Sequence, residues 1–146
     1  MVEWTEIKTG LRETRRYLLS HHEPSEWYRC YAPTVFGRRL HVCARCAGIY
    51  PGIAAGLAAY AVGPAWLVNV AFVALFPAPA LVDWLLTSFT ERRGSNPIRT
   101  ATGSLLGYGY GLGLALFFLG GDLRVPIIGL LYGALAGTLL AVERTR

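Results

Sequence analysis

The residues of this chain that are best suited to chemistry, its cysteines and histidines, lie in one short stretch. All three cysteines and all three histidines fall between residues 21 and 46. Cys43 and Cys46 form a Cys-x-x-Cys pair, a spacing that lets one tight turn give a metal two thiolate ligands. Zinc takes four tetrahedral nitrogen or sulfur ligands, so this composition indicates a zinc site. The predicted ligands are Cys43, Cys46, Cys30 and His21, with His22 and His41 as alternates.

Three other uses of these side chains stay open at this point. An iron–sulfur centre also takes cysteine ligands. A redox function would use Cys43 and Cys46, because the start of a helix favours the thiolate form. The cysteines could also bind nothing. A disulfide is disfavoured, since the topology derived below places this stretch in the reducing cytoplasm.

A second group of charged side chains lies where apolar segments begin or end. Asp83 falls inside an apolar segment, where a carboxylate is costly and either pairs with an arginine or marks a functional site. Free N–H groups at helix N-termini attract anions, and Asn96-Pro97 is a suitable helix start, with Asn96 as N-cap. The predicted ligand-binding residues are Arg45, Asn96, Arg99, Thr102, Arg92 and Arg93. The catalytic candidates are Asp83, Arg99 and Arg45.

Two interpretations of this charged group remain. In the first, Asp83 pairs with Arg45 or Arg99, and the other arginines contact lipid phosphates. In the second, the group forms a pocket for a phosphorylated ligand or an anionic lipid headgroup, in which Asp83 orients an arginine or acts as a base. No nucleophile–base pair and no glycine-rich phosphate loop stand out in the sequence, so whether the protein is an enzyme stays open.

The elements that position these side chains are membrane helices. Hydrophobic residues make up 53% of the 146 residues, too much for a soluble domain of this size to bury. Four apolar segments each approach the length of about 17–25 residues that spans a bilayer as a helix. They run over about Cys46–Val62, Ala65–Phe89, Pro97–Leu119 and Val125–Val142, with Pro77 and Pro79 kinking the second.

The distribution of Lys and Arg predicts the orientation of these spans. With four spans, thirteen of the fourteen Lys and Arg residues lie on one side, and Arg124 lies on the other. The positive-inside rule then places both termini in the cytoplasm of a multi-pass protein of the cell membrane. The net charge of +5 needs no nucleic-acid partner. The first thirty residues carry no apolar stretch typical of a signal peptide.

The residues before the spans form a cytoplasmic cap in this prediction. Trp4 to Leu19 has the pattern of a basic amphipathic helix, which lies at the headgroup interface or on the protein's own loops. Ser20 to Arg39 is loop-like but rich in aromatic residues, so we expect it to fold against the interface or a metal. The predicted fold is therefore an all-α integral membrane protein, with a Cys/His-rich cap over 1–45 and a four-helix bundle over 46–146.

Glycines repeat every fourth residue in three of the four apolar segments. Such ridges let helix backbones approach closely, so we expect them to pack the bundle. A groove for a cofactor or lipid, a homo-oligomer contact or a partner subunit is the alternative. The ridges are Gly48, Gly52 and Gly56; Gly103, Gly107 and Gly111; and Gly129, Gly133 and Gly137.

These blocks together resemble a prokaryotic family of small predicted membrane proteins. Its pattern is Cys-His-x-x-Pro, Cys-Ala-Arg-Cys-x-Gly-Ile-Tyr-x-Gly, an intramembrane Asp, and Ser-Asn-x-x-Arg-x-x-Thr-Gly. The corresponding blocks here begin at Ser20, Cys43, Asp83 and Ser95, and the likeness runs from Ser20 to about Gly107. Ser20 stands where the family pattern has Cys, and Cys30 is the replacement ligand that the chain offers. The resemblance implies a fold and a site location, and it assigns no activity.

Three functions follow as hypotheses. In the first, a zinc-stabilised cap binds an anionic lipid headgroup or a partner subunit at the cytoplasmic face. In the second, a membrane enzyme acts on a phosphorylated lipid or isoprenoid in an Arg/Asp pocket. In the third, a redox subunit uses Cys43 and Cys46.

Overall fold

The computed structural model of the chain describes residues 4–10 and 20–145, and of Arg38 the backbone alone. Residues 4–10 are helical, as the amphipathic pattern predicts. The remainder of the predicted N-terminal helix, up to Leu19, lies outside the described residues. The described part of the chain is mostly helical, with a small amount of β-structure between residues 30 and 43.

Five helices form the larger part of the fold. Glycines follow two of these helices. Gly63 is the C-cap of the first helix, and Gly121, with φ +66°, lies in the turn that precedes the last helix. A short 3₁₀ turn, Ala65–Leu67, leads into the second helix. The helices are α1 (Ala44–Val62), α2 (Val70–Leu75), α3 (Ala78–Phe89), α4 (Asn96–Phe118) and α5 (Arg124–Arg144).

The second apolar segment is interrupted where the prolines are. Helix α2 ends at Leu75, and α3 begins at Ala78, just after Pro77. Proline has no N–H to give to the preceding turn and its ring crowds that turn, which accounts for an interruption at this point. The helix is thus interrupted where the sequence predicts a kink, and the two helices belong to a single apolar stretch.

Three stretches are long and apolar enough to cross a membrane. They are Ala65–Phe89 with 25 residues, α4 with 23 and α5 with 21. Helix α1 is not among them, although it has 19 residues. It carries Arg45 in its first turn and Pro51 inside it, and both lower its hydropathy. Length and composition therefore indicate a membrane protein with three apolar helices.

Helices α1 and α4 pack side by side in the same direction. Gly48 lies against Thr100 and Ser104, and Gly56 lies against Tyr108 and Leu112, so residue numbers rise together along both helices. A Cβ atom at Gly48, Gly52 or Gly56 would overlap a backbone carbonyl oxygen of α4. The first two glycine ridges therefore pack the helices backbone to backbone, as predicted.

The third glycine ridge is different. A Cβ atom at Gly129, Gly133 or Gly137 would meet nothing within 4 Å in the described part of the chain. Helix α5 has no buried residue, although the Tyr132 hydroxyl donates a hydrogen bond to the Ala74 carbonyl at 2.7 Å. The expectation that all three ridges pack inside the bundle is wrong for α5, which stands off from α4 and leaves its ridge open.

The segment before α1 contains two short antiparallel strand pairs, so the purely α-helical prediction is wrong here. Strand β1 (Cys30–Tyr31) pairs with β4 (Val42–Cys43), and β2 (Thr34–Val35) pairs with β3 (Arg38–Arg39). The turn between β2 and β3 is Phe36-Gly37, with φ of 50° and 73°. Two positive φ values in a two-residue turn match the twist of a hairpin. Strands of two residues are too short to show the alternation of apolar and polar residues by which a strand is predicted from sequence.

Candidate metal and anion sites

The strand pairing brings two predicted metal ligands together. Cys30 on β1 lies directly opposite Cys43 on β4. Cys43 is also the N-cap of α1, so Cys46 follows in the first turn of that helix. Cys43 is buried, with 2% of its surface exposed, and Cys30 is buried with 8%. The three cysteines, all free thiols, therefore lie at the junction of the β-structure and α1.

Two histidines from the segment before the strands face these cysteines. His22 Nε2 lies 3.4 Å from Cys43 Sγ, and His21 Nδ1 lies 3.9 Å from Cys46 Sγ. The ligand atoms of His21, His22 and Cys43 all lie within 4.8 Å of one another. These three residues could hold a metal ion. Sequence reasoning treated His22 as an alternate, whereas the geometry places it in the centre of the group.

The distances fit the size of a zinc site. Zn–S bonds of about 2.3 Å and Zn–N bonds of about 2.0–2.1 Å place two tetrahedral ligands about 3.3–3.8 Å apart. The two His–Cys distances, 3.4 and 3.9 Å, are close to this edge length. Cys46 is close to His21, although it is not one of the three residues whose ligand atoms all lie within 4.8 Å of one another.

Two other predicted ligands lie at the edge of this group. Cys30 Sγ is 3.3 Å from the hydroxyl of Ser20, a buried pair beside Cys43. His41 stacks on Trp27 instead, with ring centroids 3.8 Å apart and an angle of 18° between the rings. Cys30 therefore lies beside the group of His21, His22 and Cys43, whereas the His41 ring packs against Trp27.

Sequence reasoning missed one member of this group, Glu26. Its carboxylate lies 3.2 Å from His22 Nδ1, which leaves Nε2 of that ring facing Cys43. Carboxylates commonly orient metal-binding histidines in this way. The hydrogen bond to His22 lowers the pKa of Glu26, and burial together with His22 lowers the pKa of His21. A spacing of four residues between His22 and Glu26 was the available signal.

Asp83 pairs with Arg45. The Arg45 Nη2 donates to Asp83 Oδ2 across α1 and α3, and the Asp83 residue is only 8% exposed. Of the two predicted partners, Arg45 is therefore the one in contact. Nε of Arg45 is the one buried side-chain nitrogen or oxygen without a hydrogen-bond partner in the described part of the chain. Arg45 thus has donor capacity that Asp83 does not use.

Arg99 has a different environment from Arg45. It is buried, with 4% of its surface exposed, and it donates to the Asn96 side-chain oxygen at 3.2 Å and to the Arg93 carbonyl. The prediction of Asn96 as N-cap is wrong by one residue, since the N-cap of α4 is Ser95. The Asn96 side chain instead donates to the Cys30 carbonyl at 3.2 Å, which ties the start of α4 to β1.

Three guanidinium groups surround the exposed ring of Tyr28. Those of Arg29, Arg93 and Arg99 lie 5.4, 5.8 and 5.8 Å from its centroid. Glu26 neutralises Arg29 at 3.1 Å, but no carboxylate of the described residues pairs with Arg93 or Arg99. We call Arg29, Arg93, Arg99 and Tyr28 the Tyr28 cluster. The sequence predicted Arg93 and Arg99 as anion-binding residues but not Tyr28 and Arg29. Tyr28 and Arg29 lie about seventy residues before Arg99 in the chain, so their proximity cannot be predicted from spacing.

The two remaining predicted residues, Arg92 and Thr102, lie apart from this cluster. Both line a surface cavity of about 530 Å³ between α3 and α4, to which Asp83 also contributes. Arg92 is exposed, and the Thr102 hydroxyl donates to the Ile98 carbonyl at 2.9 Å. The predicted anion-binding residues thus fall into three neighbouring groups rather than one: the Arg45–Asp83 pair, the Tyr28 cluster with Asn96, and this cavity.

Comparison with known proteins places the chain in a family. Residues 31–113 match the family of predicted membrane proteins DUF2085, and the matched part is more than half of the 146 residues. The chain belongs to this family. No curated protein and no solved structure matches it. The DUF2085 match includes Cys43, Cys46 and the Arg45–Asp83 pair, and it begins after His21, His22 and Cys30. The resemblance to a family of predicted membrane proteins is therefore confirmed, and the three apolar helices agree with a membrane location.

Proposed function

We propose that this protein is a four-span protein of the cell membrane whose cytoplasmic cap is held by a zinc ion and binds an anionic lipid headgroup. The fourth span is α1. It runs parallel to α4 in backbone contact from Gly48 to Gly56, so wherever α4 crosses the bilayer α1 crosses beside it. An even number of spans then puts 1–45 and the C-terminal tail on the side that carries thirteen of the fourteen Lys and Arg residues.

The zinc part of the proposal rests on one observation, the two close His–Cys approaches. His22 lies 3.4 Å from Cys43, and His21 lies 3.9 Å from Cys46. Residues 20–43 have little regular structure, so a metal that joins this segment to α1 would contribute directly to its folding. Zinc would supply structural cross-linking here, with Cys43, Cys46, His21 and His22 as ligands and Cys30 beside them.

Elemental analysis of the purified protein in detergent tests the zinc proposal. We expect about one zinc per chain, with thiols that react only after denaturation. Cys43→Ser should lose the metal. His41→Gln is the matched control, because His41 lies in the same segment but stacks on Trp27, and it should keep the metal. Metal-free protein with reactive thiols would reject the zinc site and favour the redox function of Cys43 and Cys46.

The headgroup part rests on the Tyr28 cluster. A buried guanidinium is costly unless an anion or well-placed acceptors neutralise it, and Arg99 has only neutral partners among the described residues. A phosphate oxygen between Arg93 and Arg99 would supply the missing negative charge. Arginine is suited to this role because its planar group binds phosphate through two parallel hydrogen bonds.

Lipid analysis of the purified protein tests the headgroup site. After exchange into an equal mixture of phosphatidylglycerol and phosphatidylcholine, we expect phosphatidylglycerol to be retained preferentially. Arg93→Gln should weaken this retention about tenfold, since a charge-assisted hydrogen bond contributes about 1.5–3 kcal/mol. Arg39→Gln removes the same charge from an exposed strand position and should have little effect. Equal losses in both variants would indicate nonspecific attraction and reject the site.

Two other functions remain as hypotheses, an enzyme and a protein that binds a partner subunit or a second copy. An enzyme acting on a phosphorylated lipid or isoprenoid would use the Arg45–Asp83 pair, with Arg99 held nearby. A partner subunit or a second copy would use the open ridge of α5, where Gly133 and Gly137 have free space above them. The zinc and lipid measurements come first because specific distances and charges support those two sites.

A further inference from the structure

A second cavity lies among the helices, and its described lining includes neither the proposed zinc ligands nor a member of the Tyr28 cluster. Its volume is about 650 Å³, and its walls come from α2, α3, α4 and α5, together with Arg45 of α1. Volumes of about 300–1,000 Å³ are typical of sites for small ligands. The cavity exists because α5 stands off from α4, with Gly129 in its wall and open space where a side chain at Gly129 would lie.

The cavity is long and apolar. On α4 its lining runs from Leu106 to Phe117, and eleven residues of helix rise by about 16 Å. One leaflet of a bilayer has a hydrocarbon thickness of about 15 Å, half of the whole core. Val73, Leu81 and Val125 continue the aliphatic surface on the neighbouring helices. A single hydrocarbon chain, lying along α4, matches both the length and the chemistry of this space.

One end of the cavity is charged. Among the described residues of its wall, Arg45 is the one with a formal charge. The Arg45 backbone lies against Gly103, one turn before Leu106, so Arg45 marks the end of the cavity at which α1 and α4 begin. Its Nη2 binds Asp83, while its Nε is buried without a hydrogen-bond partner. An anionic oxygen at this end would be attracted by the positive charge of Arg45.

We propose that this cavity holds one hydrocarbon chain of an anionic membrane phospholipid, with the phosphate at Arg45. The two features on which it depends are the apolar length between α4 and α5 and the cation at one end. The proposal rests on the membrane-spanning part of the proposed function. It uses neither the zinc ligands nor the Tyr28 cluster, so it can fail while those sites stand.

Quenching of Trp84 fluorescence tests this proposal, because Trp84 lines the cavity. The full chain with Trp4, Trp27 and Trp66 replaced by Phe has Trp84 as its single tryptophan. It is reconstituted in phosphatidylcholine vesicles that contain a minor fraction of either phosphatidylglycerol or phosphatidylcholine brominated on the chains. We expect brominated phosphatidylglycerol to quench Trp84 at about tenfold lower content, given one added charge-assisted hydrogen bond.

Matched variants separate the cavity from the general lipid surface. Gly129→Leu places a side chain in the cavity and should abolish the preference, whereas Gly133→Leu on the same helix lies outside the lining and should keep it. The double variant Arg45→Gln, Asp83→Asn removes both charges together and should also abolish it. Equal quenching by the two brominated lipids, or a preference that survives Gly129→Leu, would overturn the proposal.

The same vesicles distinguish this result from failure of the headgroup site. If phosphatidylglycerol is retained through Arg93 but does not quench Trp84 selectively, the cavity proposal is wrong and the Tyr28 cluster stands. If retention is insensitive to Arg93 while Trp84 is quenched selectively and Gly129→Leu removes the effect, the cavity site stands alone.

Discussion

Arg45 connects two groups of different chemistry. In sequence it lies between Cys43 and Cys46, and through its side chain it binds Asp83 on α3. A ligand that restrains the positions of Cys43 and Cys46 therefore also restrains the first turn of α1. It would hold in place the guanidinium that neutralises the buried carboxylate of Asp83. A zinc ion at the cysteines would thus stabilise an ion pair that it does not touch.

Glu26 gives a prediction at the same scale. Glu26→Gln should weaken zinc binding about tenfold, since a carboxylate that orients a metal-binding histidine typically contributes a factor of 10–100. The physical reason is the contact of Glu26 with His22 Nδ1, which directs Nε2 toward Cys43. Competition with a chromogenic zinc chelator measures the affinity.

Glu23→Gln is the control for this experiment. Glu23 is an exposed glutamate three residues away, and its side chain makes no cap hydrogen bond to the 3₁₀ turn Pro24–Arg29 that follows it, so its variant should bind zinc as the parent does. The hydrogen bond to His22 lowers the Glu26 pKa, so its contribution persists at neutral pH and is lost as the pH falls through that lowered value. Parent-like affinity in Glu26→Gln would contradict the orienting role.

At the scale of elements, the parallel contact of α1 and α4 determines the shape of the bundle. Gly52→Leu should lower the free energy of unfolding by about 3 kcal/mol or more, because its side chain would collide with backbone atoms of α4 around Ser104 and Tyr108. Backbone cannot move aside as a flexible side chain can. Unfolding in mixed micelles of increasing denaturing detergent measures this change.

The open ridge of α5 offers the comparison. Gly133→Leu adds the same side chain in free space, so the stability of a monomer should change by less than about 0.5 kcal/mol. Similar losses in Gly52→Leu and Gly133→Leu would show that the helix contact of α1 and α4 is not specific. A loss confined to Gly133→Leu would instead indicate an oligomer that uses α5.

At the scale of the whole molecule, the number of spans decides where the termini lie. Three apolar helices alone would place the two ends of the chain on opposite sides, whereas α1 as a fourth span places both in the cytoplasm. Fluorescent protein fused to the C-terminus should therefore fluoresce in the cytoplasm. Alkaline phosphatase inserted after Gly121, in the turn before α5, should be active outside it.

The reverse pair of results would contradict this topology. An inactive phosphatase after Gly121 together with a fluorescent C-terminus would mean that α4 and α5 do not cross the membrane as a hairpin. A silent C-terminal fusion with an active phosphatase at the same end would reject the cytoplasmic C-terminus. Each reporter is placed at both positions, so that a silent reporter at one position can be compared with the same reporter at the other.

The sequence alone determined the parts of this protein that depend on neighbours along the chain. Apolar length predicted the helical segments to within a few residues, Pro77 predicted the interruption between α2 and α3, and Gly63-Pro64 predicted the end of α1. These follow from backbone sterics and from burial of apolar surface, and both are local properties. The concentration of Cys and His before α1 likewise indicated the segment in which His21, His22 and Cys43 come together.

The tertiary structure decided the pairings between distant residues. It selected Arg45 over Arg99 as the partner of Asp83, put His22 beside Cys43, and gathered arginines from two parts of the chain around Tyr28. It also packed two glycine ridges against each other and left that of α5 open. These contacts join residues that are twenty to seventy positions apart, so they depend on how helices and strands pack together. Spacing along the chain does not determine them, because several different pairings would satisfy the same charges and the same hydrophobic periodicity.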